Sequence, residues 1–208
     1  MIDKRAVLAG VLIAGMLAIA GCSSSDGEIT LDGLRKTATN AGPAPTTCPI
    51  PYDISAALPD SPQVKPGDVE VQVSKSTTPA PDPLAAQRDQ GMSALDAAAG
   101  VSINCDYEVN GKTVATWLVA TPTPGAPNIM GPSITRAAHI TTTQLADFLK
   151  NPPDPGEVKL TPTGTIAIAH IPVNGSGDAT LMLNPDGLIT TEALTKATKT
   201  LLSQIHIS

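Results

Sequence analysis

The three cysteines and three histidines, Cys22, Cys48, Cys105, His139, His170 and His206, are the residues whose spacing would reveal redox, metal or nucleophilic chemistry. Cys48 and Cys105 lie 57 residues apart, so they do not form the Cys-x-x-Cys pair of a redox site. No two histidines stand four residues apart, and no histidine accompanies the cysteines at ligand spacing, so no metal site is expected. Neither Gly-x-Ser-x-Gly nor a Ser-x-x-Lys nucleophile motif occurs after Cys22. His170 sits in the run Ile166-Ala-Ile-Ala-His-Ile171, where apolar residues occupy both parities, and is expected to be structural. The sequence therefore offers no catalytic residue, no metal ligand and no cofactor site. In an exported chain Cys48 and Cys105 are expected to pair as a disulfide.

Cys22 has a different setting. Lys4 and Arg5 head the chain, and an apolar run follows from Ala6 to Ala20. As a helix those 15 residues span about 22 Å, short of the roughly 30 Å of a bilayer's hydrocarbon core. The pattern fits a signal peptide over residues 1–21. Ile19-Ala20-Gly21-Cys22, followed by Ser23-Ser24-Ser25, resembles the lipobox of bacterial lipoproteins. Ile19 departs from the leucine usual at its place. The resemblance implies a diacylglycerol thioether on Cys22, cleavage just before it, and a protein held by lipid on the extracytoplasmic face of the cell membrane. Without twin arginines, the general secretory route is expected. Two or more acyl chains anchor stably where one is marginal.

Removing residues 1–21 leaves 187 residues carrying 11 Lys and Arg against 18 Asp and Glu. That length suits one domain with a tether. The acidic balance and the lack of a basic patch exclude nucleic acid as an expected partner, and leave lipid on Cys22 as the expected membrane contact. Aromatic residues are few (Tyr52, Tyr107, Trp117 and Phe148), so Ala, Val, Leu and Ile must build the core. The richness in Ala, Thr and Pro resembles proteins of high-GC actinobacteria.

The elements that must position these residues follow from periodicity. Residues 22–44 read as a lipidated tether with a short helix from Leu31 to Ala41, capped by Thr30 and stopped by Gly42. Residues 45–208 read as one α+β domain. Val69, Val71 and Val73 alternate with polar residues as in a half-buried strand. Leu84 to Ala99 reads as one helix ended by Gly100. Val101 to Val109 alternates strictly, and Asn110-Gly111 joins it to a second strand over Lys112 to Thr121, a hairpin signature. Pro122 to Pro132 reads as a loop, Thr143 to Lys150 as a helix, and Val158 to Leu160 as a short strand. Thr165–Val173 and Ala179–Leu183 read as a second hairpin, and Thr191 to about Ile205 as a closing helix striped by Leu194, Ala197, Leu201 and Ile205. The expected fold class is α+β: an antiparallel sheet of about five or six strands with helices packed on one face. Over residues 45–205 this layout resembles actinobacterial cell-envelope lipoproteins and some extracellular sensor-type domains, a resemblance that carries no functional residue across.

Function is expected to be non-enzymatic: a membrane-anchored envelope lipoprotein whose domain binds an envelope protein or another envelope component. The alternative is a carrier of a lipid or small apolar ligand in a cavity between sheet and helices. An envelope hydrolase would need a pocket gathering His139 or His170 with a carboxylate and a Ser or Thr. Asn174-Gly-Ser176 and the Thr/Pro tracts around Thr46-Thr47 and Thr77-Thr78 read as turn and loop chemistry.

Overall fold

A computed structural model describes residues 28–42, 44–58 and 63–206. The signal segment, Cys22 and most of the tether lie outside the described residues.

Six strands form one antiparallel sheet: β1 (Val64–Val73), β2 (Val101–Val109), β3 (Lys112–Thr121), β4 (Val158–Leu160), β5 (Ala167–His170) and β6 (Asp178–Asn184). Their spatial order is β1-β2-β3-β6-β5-β4. The β2–β3 hairpin turns at Asn110 and Gly111, both at positive φ (52° and 75°), as its Asn-Gly signature requires. β5 and β6 form the second expected hairpin. The α+β class and the antiparallel sheet are thus as expected.

The first face of the sheet is set by the odd residues of β2. Val101, Ile103, Cys105, Tyr107 and Val109 are buried with Val114 and Leu118 of β3 and Leu181 and Leu183 of β6. Three helices cover this face: α1 (Leu31–Ala41), α2 (Ile54–Ala57) and α8 (Thr191–Leu202). Thr30 caps α1 by accepting from Gly33 N at 3.0 Å. The Arg35 guanidinium donates to Ser74 O and Ala99 O, tying α1 to the start of the sheet. Leu34 and Ala38 of α1 are buried in this core, so the folded part begins ahead of residue 45 and the helix is not part of a tether.

The second face also carries helices, where one covered face was expected. α4 (Ala94–Ala97), α5 (Ala126–Ile129), α6 (Gly131–Ala138) and α7 (Thr142–Lys150) pack Leu95, Met130, Ile134 and Phe148 against Val119, Met182, Ile166 and Ile168. The physical reason lies in β5 and β6. Their apolar residues at both parities, Ala167-Ile168-Ala169 and Leu181-Met182-Leu183, need cover on both sides. Of these helices, α5 arises where the sequence reads as loop, and α6 starts at that loop's end and runs through residues 133–138, for which the sequence suggests no element; Pro127 and Pro132 occupy first-turn positions where proline is tolerated. The helix expected over Leu84–Ala99 is two: α3 (Pro83–Gln90) ends at Gly91, which is left-handed at φ 66°, and α4 restarts under a Ser93 cap.

Candidate functional site

The second helical layer stops short. It covers β3, β6 and β5, but among the described residues no helix packs over the outward residues of β1 and β2. They alternate as polar side chains: Glu70 and Gln72 on β1, opposite Asn104 and Ser102 on β2. Where this uncovered strip meets the flank of α6 lies an open groove of about 420 Å³. Trp117, Ala115 and Met182 form its inner floor, and Ser133 and Arg136 of α6 form the facing wall.

Trp117 is the only tryptophan of the chain. It is half-buried, directly opposite Asn104, and its indole Nε1 donates to Ser102 Oγ at 2.6 Å, which fixes the ring. Gln72 Nε2 donates to Glu70 Oε1 at 2.6 Å. Asp106 lies at the far end of the strip. Burial and the nearby charge of Asp68 push its carboxyl above the usual carboxylate range, with a hydrogen bond to Asn104 acting the other way. Asp68 comes close because β1 bulges between Pro66 and Val69. Gly67 in that bulge touches the Asp106 backbone so tightly that a Cβ would stand 2.9 Å from Asp106 O. Arg136 is exposed and pairs with no carboxylate among the described residues. The groove therefore combines acceptors, amides, a cation and an aromatic face in a space of ligand size. The groove has no signature in the sequence: its polar strip looks like an ordinary solvated strand face, and most of α6 lies in residues 133–138, to which the sequence assigns no element.

The histidines fall elsewhere. His170 projects from β5 on the second face beside a smaller pocket of about 310 Å³ that Asp178 and Thr180 also line. This is the gathering a hydrolase would need, and its histidine and carboxylate also make structural contacts. Nδ1 meets Pro153 O at 3.1 Å, and Nε2 faces Asp178 Oδ1 at 3.4 Å. Asp178 Oδ2 in turn accepts from Gly125 N and Ala126 N at 2.7 and 2.9 Å. His170 and Asp178 thus strap the loops at 151–157 and 122–126 to the sheet. His139 is an exposed left-handed cap at the end of α6, and His206 is exposed. Among the described residues no cluster of three metal-ligating side chains exists, and no helix is long and apolar enough to cross a membrane.

Cys48 and Cys105 are bonded, with Cα atoms 5.7 Å apart. The bridge pins the segment between α1 and α2 onto β2. Asn174, in the formal sequon, is engaged as turn chemistry: its side chain donates to Glu28 Oε2 at 2.6 Å and its backbone N–H to Ile29 O at 2.7 Å. The chain thus enters the domain beside the start of β6, six residues after Cys22. No family model matches this chain, and no curated protein or solved structure matches it either.

Proposed function

We propose that this protein is a lipid-anchored binding module of the cell envelope, tethered through Cys22 and engaging an envelope component in the groove on its second sheet face. The observation that carries the binding role is the groove itself: an aromatic floor, hydrogen-bonding side chains of both kinds and an unpaired cation, left open by a helical layer that closes the rest of that face. The anchor rests on Ile19-Ala20-Gly21-Cys22 behind a short apolar run. Six residues reach about 20 Å from Cys22 to Glu28, and the chain then runs into α1 on the opposite face of the sheet. Such a tether leaves the groove open to ligands.

A non-enzymatic role draws support from the strapped His170 and from a groove with no histidine or cysteine among its lining residues. Less supports the carrier alternative, since the grooves found among the described residues open to solvent and both cores are filled with side chains. The test is hydrogen exchange on the lipidated protein, with and without an extract of its own envelope. The binding role predicts slowed exchange at residues 70–72, 102–106 and 133–137. It also predicts loss of that protection in Ala115→Arg, which fills the groove. Protection elsewhere, or protection that survives Ala115→Arg, contradicts it.

A further inference from the structure

The chemistry of the groove selects among classes of ligand, and the inference below rests on the binding role just proposed. Of the strands beneath it, β2, β3 and β6 are paired on both sides. The one free backbone ladder there, among the described residues, is the outer edge of β1, which lies in the plane of the sheet and not on the groove floor. An extended peptide seated on Trp117 therefore finds no ladder to join. An amphipathic helix needs a continuous apolar trough. Here Trp117, Met182 and Ile129 make only a patch, bordered by carboxylates and amides. An anionic ligand meets Glu70 and Asp106, with Asp68 beside the latter, against the single Arg136. The arrangement suits a ligand that is uncharged, has one flat face of C–H groups, and carries a rim of groups that both donate and accept.

We propose that the groove binds a neutral polyhydroxylated ligand, a glycan segment of the cell envelope, with a sugar ring lying on Trp117. Hydroxyls match the mixed rim: carboxylates of Glu70 and Asp106 accept, Arg136 donates, and the amides of Gln72 and Asn104 do both. The bond from Trp117 Nε1 to Ser102 Oγ holds the ring before any ligand arrives, so little side-chain freedom is lost on binding.

Because Trp117 is the only tryptophan, its fluorescence reports on the groove alone. The probes are neutral oligosaccharides released by mild acid from the organism's own envelope, with peptides released from that envelope by protease and inorganic phosphate as competitors in class. The lipidated full chain is used in nanodiscs. The proposal predicts a saturable Trp117 response to the oligosaccharides, weakened more than tenfold in Asp106→Asn and in Arg136→Gln. Lys199→Gln, on the outer face of α8, should leave it unchanged. A saturable response to peptide or phosphate with none to oligosaccharide overturns the ligand class and leaves the binding role standing. No response to any of the three, together with no groove protection in the hydrogen-exchange test, overturns both.

Discussion

Asp106 and Tyr52 show what single side chains cost this fold. The carboxyl of Asp106 titrates above its usual range because burial and Asp68 disfavour its charge. A group whose folded-state pKa is raised is neutral, and harmless to stability, at pH below its unfolded value of about 3.9; it subtracts stability as pH rises through the folded value. Asp106→Asn should therefore melt higher than the parent at pH 7, and the gain should vanish below about pH 4. A gain that is constant with pH would contradict this assignment. Tyr52 is half-buried, but its hydroxyl is shielded and has no hydrogen-bond partner among the described residues. Burial first, and the neighbouring Tyr107 second, push that phenol far above its usual range. Tyr52→Phe should stabilise by about 1 kcal/mol in denaturant melts, because an unsatisfied buried polar group is removed. Neither cost was legible in the sequence. Tyr52 stands among prolines that hide its burial, and the meeting of Asp68 with Asp106 depends on a bulge. The pairing of Cys48 with Cys105 was legible, because only two cysteines remain once Cys22 is set aside.

At the scale of elements, strict alternation in Val101–Val109 and the Asn-Gly turn marked the β2–β3 hairpin to the residue. Gly111 sits in open space at φ 75°, so Gly111→Ala adds no clash and costs only backbone strain, about 1 kcal/mol. Equilibrium unfolding checks this. A loss well above that figure would show that the turn is held by more than its dihedrals. The helices of the second face were legible only in part. The helix over Thr143–Lys150 was legible from its periodicity, and the structure starts it one residue earlier behind a capping box of Thr141 and Gln144, whereas α5 and α6 are short and begin in a Pro/Gly-rich stretch. Mixed parity in Ile166–Ile171 was the sole hint that both faces are covered. The groove followed from that missed layer, so its wall was invisible even though its floor residues were correctly placed on strands.

For the whole molecule, the disulfide closes a separation of 57 residues and joins α1's following segment to the sheet. Cys48→Ser with Cys105→Ser should lower stability by roughly 2–4 kcal/mol, read from the shift in urea midpoint. The anchor belongs to this scale too. Cys22→Ala should leave the signal segment without lipoprotein processing and release the domain from membranes on fractionation. The most direct measurement of the central claim is site-specific photo-crosslinking in intact cells, from a photoreactive residue at Gln72 in the groove and, as control, at Lys196 on α8. The account predicts a discrete adduct from position 72 that Ala115→Arg abolishes, and none from position 196. Equal adducts from both positions, or none from position 72 while the protein remains anchored, would contradict it.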